Sequence, residues 1–452
     1  MRKHMPPTRA PDGSRGTAMR HPRHKRKRPT ADAATAAAAE HEVHPLADPA
    51  RPIPNLACAD RFEEYYRAQL GRLGVTGSEW TRFIKTLHAP LPVTFRVQPV
   101  GIGTLGDECR RSFDALQAAG GLPEVTPLPW CSSFAVEISK EALKTSHEPA
   151  LAGLQTWLSK WGALGACTRQ AIESMVPVAL LKVEPDHVCL DMCASPGSKT
   201  TQAIEALYAG GAATGRGFMV ANDASPTRCQ MLLRRCAALG EMSERLLITC
   251  HPAQSLPWLP RLDASAEAEA TAVGGEAGRY PAGCFDRIIC DVPCSGDGTT
   301  RKNPSIWHRW SQEYALEMHP LQLQIAMRGL ALLKVGGLLC YSTCSLNPLE
   351  NEAVVAALLK RCAGAVEIVD CSRELPELHR APGLTSWTVM DDALQEHESH
   401  AALQRSTALP AALKRRFVPS LWPPDPKEAK RKLHLDRCLR LLPHLANMGG
   451  FF

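Results

Sequence analysis

At 452 residues the chain is too long for one typical domain and implies two or three. No apolar run is long enough to cross a membrane and no signal-peptide core follows the basic start. None of the 17 cysteines forms a C-x-x-C pair, which argues against zinc and against a secreted disulfide framework. The net charge of +6 is concentrated in residues 1–30, which hold ten Lys or Arg and one Asp, so the remaining chain carries about −3 and any nucleic acid must use a local patch there.

Residues 1–50 read as a disordered tail, basic and then Ala-rich. The run "RHPRHKRKRP" (20–29) suits a nuclear signal; a mitochondrial leader and a plain solvated tail are the alternatives. Residues 51–180 form a small mixed region. "DRFEEYYRAQLG" (60–71) has helical apolar spacing, "PVTFRVQPV" (92–100) is strand-like, and 153–183 reads as helices broken near Gly162 and Gly165.

From Val188 a strand–helix alternation runs through 181–452. The strands are "VCLDM" (188–192), "GFMVAND" (217–223), "RLLITC" (245–250), "FDRIICDV" (285–292) and "GGLLCYSTC" (336–344). Helices are expected at 198–210, 225–240 and 312–334. The pattern predicts an α/β fold, a Rossmann-like parallel sheet with helices on both faces, behind a smaller N-terminal α+β region. The Ala/Gly/Glu-rich stretch 261–283 reads as a floppy insertion.

In such a sheet, ligands bind beyond the carboxyl ends of the strands. The loop Asp191, Met192, Cys193, Ala194, Ser195, Pro196, Gly197, Ser198, Lys199 lies there after the first strand. Gly197 permits close backbone approach, and the helix opening at Ser198 favours a carboxylate or phosphate. Asp223, ending the next strand, is placed to accept from ribose hydroxyls. G-x-G-x-x-G is absent, and "GSKTT" lacks the earlier glycine of a phosphate-binding P-loop. A small molecule with both ribose and carboxylate remains, S-adenosylmethionine; a tight strand–helix turn without a ligand is the alternative.

The stretches "DMCASPGSKTTQ", "NDAS", "FDRIICDVPCSGDGTTRKNPSIWHRW", "YSTCSLNPLENEAVV" and "HLDRCLRLLPH…GGFF" follow one another in order. Together they resemble the NOP/SUN family of RNA (cytosine-C5) methyltransferases, most of all its eukaryotic tRNA-modifying branch. "EEYYRAQL", "EWTRFIKTLHAPLPVTFRV" and "TRQAIESMVPVALLKV" fit the same branch, so the resemblance covers 55–452.

The resemblance implies methyl transfer from S-adenosylmethionine to C5 of cytosine. Carbon 5 is a poor nucleophile until a thiolate adds across C6, which divides one hard step into two easier ones. The family pattern makes Cys344 of "STCS" that thiolate and gives Cys294 of "VPCS" the task of assisting release. At pH 7 a thiol of pKa about 8.5 is roughly 3% ionised. Lowering the pKa by about two units gains about 25-fold in thiolate but loses about eightfold in nucleophilicity. The larger effect must be activation of the ring by an acid at N3, a role the resemblance gives to Asp291. Lys199 could bridge the cofactor loop and that acid. Arg301, Lys302 and Arg309, with Trp307 and Trp310, make a loop suited to an extruded RNA strand. Arg169, beside Gln170, matches a family motif near the site. No metal, membrane or second subunit is expected.

Three departures support an alternative, a catalytically degenerate RNA-binding protein. Pro252 in "CHPAQ" stands where the family has an Asp that contacts adenine. Ala171 replaces an acidic residue, and Phe452 falls inside the expected last core strand, so a truncated end is expected. Ribosomal or messenger RNA stays open beside tRNA.

Overall fold

The computed structural model describes residues 1–4, 58–98, 105–209, 215–257, 283–407 and 409–452. The expected insertion lies almost wholly outside these residues, as does most of the tail. The tail's first residues correct the expectation of disorder: Arg2–Lys3 is a short strand, β1. The buried Met1 ammonium donates to the Leu339 carbonyl at 2.7 Å, and burial lowers its pKa. The backbone groups of a strand opened for pairing are thereby satisfied.

The N-terminal region carries β2 (Pro92–Val97), β3 (Val125–Leu128), β4 (Ser133–Ser139) and β5 (Cys167–Arg169) in an antiparallel sheet of order β3-β4-β2-β5. The helices Leu105–Ala118 and Pro149–Ala163 cover it through Phe113, Leu154, Trp157 and Trp161, which pack on Phe95 and Phe134. The stretch 153–183 is thus not helical throughout; β5 interrupts it, because a strand edge is open beside β2.

The helix Cys58–Leu70 belongs elsewhere. It buries Phe62, Tyr65, Tyr66, Gln69 and Leu70, one face at helical spacing, and its aromatic rings meet Trp307 and Trp310, which follow the fourth strand of the larger sheet. Each such side chain contributes on the order of 2 kcal/mol.

The main sheet contains β6 (Val188–Asp191), β7 (Phe218–Asn222), β8 (Leu246–Thr249), β9 (Phe285–Asp291), β10 (Leu333–Ser342) and β11 (Val366–Glu367). Its order is β11-β1-β10-β9-β6-β7-β8; β10 through β8 run parallel, and β1 is antiparallel to both neighbours. Chain order reverses between β6 and β9, and the crevice at such a switch point is where ligands bind. The inner strands are apolar on both faces, as helices on each side demand.

Near the end of the chain, Arg440 is 1% exposed and forks onto Glu352, donating from Nε to Oε1 at 2.6 Å and from Nη2 to Oε2 at 2.5 Å. Its third nitrogen donates to the Leu346 carbonyl at 2.7 Å, two residues past Cys344. Arg440→Met strands the Glu352 charge and is expected to lower unfolding free energy by about 3–5 kcal/mol, read from urea denaturation. Among the described residues no helix is long and apolar enough to cross a membrane.

Candidate active site

Asp191 and Asp291 end the adjacent strands β6 and β9, on either side of the switch point. Cys294 follows β9 and Cys344 follows β10, so parallel pairing brings both loops to one edge. The two sulfurs lie 3.3 Å apart. That separation answers why one chain places cysteines at two strand ends: neighbouring strands make them partners.

The Lys199 ammonium links the cofactor loop to this pair. It donates to Asp291 Oδ2 at 2.8 Å and to Ser174 Oγ at 2.9 Å, while Ser342 donates to Asp291 Oδ1 at 2.7 Å. Burial alone would lower the Lys199 pKa. The charge and hydrogen bond of Asp291, with Asp191 and Cys344 beyond, raise it above the ordinary lysine value. Lys199 and Asp291 thus form an ion pair at 2.8 Å beside the cysteines.

The thiols are unequal. Cys294 is held well above the ordinary thiol range, first by its hydrogen bond to Cys344, then by burial and by the Glu350 and Asp291 carboxylates. Cys344 lies within electrostatic reach of the Lys199 cation.

Beneath both loops lies a carboxylate that sequence reading did not single out. Glu350 is fully buried. Its Oε2 accepts from the Ser295 amide at 2.8 Å and Gln322 Nε2 at 2.9 Å; its Oε1 accepts from Ser295 Oγ at 2.5 Å and Ser345 Oγ at 2.7 Å. Ser295 adjoins Cys294 and Ser345 adjoins Cys344, so one carboxylate fastens both cysteine loops. Burial, with Asp297 nearby, pushes Glu350 up to about 7. From outside, His319 bonds the Leu349 carbonyl at 2.6 Å and Ser420 Oγ at 2.8 Å; burial takes it down to about 4, so it is neutral. Asp297 was missed as well. It accepts from Tyr66 and, at 2.7 Å, from the Leu346 amide, tying the N-terminal helix to the Cys344 loop. The one sequence signal was "ENE" (350–352), three buried polar residues opening an otherwise apolar helix.

The cofactor loop is firmly built. The Ala194 amide bonds the Asn222 carbonyl at 2.7 Å and the Gly197 amide bonds the Ala194 carbonyl at 2.7 Å. Gly197 has φ +102°, and a Cβ there would meet Leu232 Cδ1 at 2.8 Å, so glycine is required. The helix Ser198–Leu207 begins without a capping side chain, which leaves its terminal amides for a carboxylate. Asp191 accepts from Thr200 at 2.7 Å on Oδ2, but its Oδ1 is buried with no partner among the described residues. Burial pushes Asp191 up to about 7. A cationic amine would satisfy that oxygen. These features fit an α-amino acid such as the methionyl end of S-adenosylmethionine.

Asp223 sits at the end of β7, as expected, but it is engaged. It accepts from the Ser195 amide at 3.2 Å, the Ser225 amide at 3.1 Å and Arg228 Nε at 3.1 Å. It braces the loop, and Arg228 Nε reaches its second oxygen as well, at 3.2 Å. Around Pro252 the chain is fixed by Asn222, which bonds the amide and carbonyl of His251 at 3.1 and 2.9 Å.

The RNA-binding expectation divides. Arg301 is 7% exposed and donates to the carbonyls of Ala89, Pro90 and Met448 and to Asn447 Oδ1, at 2.7–2.9 Å. All its nitrogens are used inside the protein, so it is a clamp and not an RNA contact. Trp307 and Trp310 are buried in the aromatic cluster and offer no stacking face. Lys302 is exposed, Arg309 half-buried and Arg169 exposed. Glu173, two residues past Ala171, is buried and accepts from the Gly449 amide at 3.1 Å.

Replacing Lys199 with Met removes the donor to Asp291 and leaves that carboxylate facing the cysteines. The expected result is a kcat about 10²–10³-fold lower with cofactor Kd changed only a few-fold, checked by steady-state assay and calorimetry.

The chain is similar in sequence to known proteins. Residues 178–378 match the family model "16S rRNA methyltransferase RsmB/F". The chain is 41% identical over 415 residues to the multisite-specific tRNA:(cytosine-C(5))-methyltransferase trm4b of Schizosaccharomyces pombe, covering 87% of this chain and 58% of that protein. It is 37% identical over 413 residues to the tRNA (cytosine(34)-C(5))-methyltransferase of Drosophila melanogaster, covering 86% and 52%. The chain thus spans little more than half the length of these relatives. A methyltransferase homolog from Pyrococcus horikoshii superposes with a TM-score of 0.53 at 21% identity, over 87% of this chain and 92% of that one, which shows the fold. Residues 178–378 thus belong to the RsmB/F, or NOP/SUN, methyltransferase family.

Proposed function

We propose that this chain transfers a methyl group from S-adenosylmethionine to C5 of cytosine in RNA, with tRNA as substrate. The observation that carries the reading is the Cys294–Cys344 pair, 3.3 Å apart, beside the Lys199–Asp291 ion pair and the cofactor loop. The tRNA substrate is supported by the named activities of the relatives.

Asp191, Gly197, the amides opening the helix at Ser198, and Asp223 hold the cofactor, which when bound supplies an electrophilic methyl group. Cys344 adds as thiolate to C6 of the cytosine. Electron density gathers at N3, which takes a proton from Lys199 relayed through Asp291. Carbon 5, now enamine-like, accepts the methyl group. In the elimination Cys294 gives its proton to the departing Cys344 sulfur and takes the C5 proton in exchange, while N3 returns its proton to the Asp291–Lys199 pair. Cys344 then loses one proton to solvent, matching the single proton the overall reaction releases. Lys302 and Arg309 are left as cations on the loop beyond Cys294. The basic run at 20–29 supports a nuclear location, tested by microscopy of a fluorescent fusion and its run-deleted variant.

The test is methylation of unmodified tRNA transcripts with tritiated S-adenosylmethionine, followed by digestion to nucleosides. Label in 5-methylcytidine is the expected result; label in another nucleoside, or none, contradicts it.

A further inference from the structure

Between the N-terminal sheet and the main sheet runs an open cleft of about 590 Å³. One wall is the helix Pro149–Ala163 with β5; the other is the helix Pro226–Ala237. At its floor the walls touch: Gly165 has φ +76°, and a Cβ there would fall 1.8 Å from the Ala238 carbonyl oxygen.

The cleft's charge is one-sided. The wall segments 149–172 and 224–240 contain no Asp or Glu and five Lys or Arg. Three of these, Arg169, Arg234 and Arg235, line the cleft. None of the three has a carboxylate partner among the described residues. Arg235 is partly buried, and its guanidinium crosses the cleft to the Arg169 carbonyl at 2.9 Å. Burial, then the charge of Arg96, lowers its pKa, so an anion beside it would relieve an unfavourable field. The carboxylate beneath, Glu205, is buried and paired through one oxygen with Arg96; Glu241 lies two residues past Leu239, outside the lining. Unpaired arginines crowded on acid-free walls are a footprint for phosphate. Met231 shares a helix face with Arg234 and Arg235 and is 51% exposed, as a sugar or base edge could use.

The cleft is also joined to the chemistry. A Cβ on Gly197 would lie 3.5 Å from Arg235 Cδ, so that side chain runs along the outside of the cofactor loop. Five residues after Arg169, Ser174 accepts from Lys199, the partner of Asp291.

We propose that this cleft binds the sugar–phosphate backbone of the substrate RNA, with Arg169, Arg234 and Arg235 on its phosphates. The site rests on the RNA methylation proposed above and adds to it a contact that sets affinity, not chemistry.

The test uses the full chain, Arg234→Ala, and Arg234→Ala with Arg235→Ala. Binding of an unmodified tRNA transcript is measured by filter retention over a series of salt concentrations, cofactor binding by calorimetry, and kcat at saturating RNA. The double variant is expected to raise Kd about tenfold and to reduce the slope of log K against log salt by about 1.5, with cofactor Kd and kcat near wild type. Arg234 is exposed and has no ion-pair partner among the described residues, so if the double variant fails to fold the single one decides, with a slope change of about 0.7–0.9. Wild-type Kd and slope in folded variants of an active enzyme overturn the cleft alone. An inactive wild type that binds no RNA overturns the methylation reading, and the cleft with it.

Discussion

Cys344→Ala is expected to lower methyl transfer at least about 10⁴-fold while cofactor binding and thermal unfolding stay near wild type. The sulfur is half-buried at a strand end and bonds only Cys294 Sγ among the described residues, while the backbone contacts of its loop come from Gly298, Thr343 and Ser345 and survive the change. Without the thiolate no adduct forms at C6, and C5 keeps the low nucleophilicity of an aromatic carbon. Cys294→Ala should behave differently. It spares addition and the first transfer but removes the proton held for the leaving sulfur. Single-turnover kinetics separate the two: Cys344→Ala shows no burst, whereas Cys294→Ala shows one turnover and then stalls.

Glu350 should also be sensitive, through geometry. Glu350→Ala strands the Ser295 amide, two serine hydroxyls and Gln322 Nε2, at about 1–3 kcal/mol for each orphaned group. The expected loss is about 3–5 kcal/mol of stability and, because both cysteine loops shift, about 10²-fold in kcat. Glu350→Gln can satisfy the same partners if the serine hydroxyls turn to accept, so it should retain most stability and activity. A merely structural carboxylate would not predict the accompanying pH effect. Glu350 has a folded pKa raised from 4.5 to about 7, so its stabilisation is complete below about pH 4.5 and is lost as pH rises through 7. Asp191, raised to about 7 by burial, adds in the same direction. Melting temperatures from pH 5 to 8 should fall less steeply in Glu350→Gln than in wild type. An equal slope in both contradicts the assignment.

What could be read in advance was what repeats or lies adjacent in sequence. The main-sheet strands announced themselves as short apolar runs before turn residues, and the switch point then placed Asp191, Asp291 and the two cysteines at one edge. The loop 191–199 was legible because glycine and a helix start are local features. Glu350 and Asp297 were not, since their role depends on strands 50 residues apart bringing Ser295 to Ser345. Arg301 misled for the converse reason: its neighbours suggested an exposed basic loop, but its partners come from residues 89–90 and 447–448. Asp223 was located correctly in sequence, yet its three internal donors could be seen only in the fold. The strand at Arg2–Lys3 had no signal at all, because two residues carry no periodicity and their partners lie more than 300 residues away.

The central claim is that Cys344 bonds the base and Cys294 frees it. It is tested most directly with the Cys294→Ala protein, unmodified tRNA and tritiated S-adenosylmethionine, run on a denaturing gel. The account predicts a labelled protein–RNA complex that survives denaturation and disappears when Cys344→Ala is added. A complex that persists in the double variant, or continued turnover by Cys294→Ala with no complex, contradicts it.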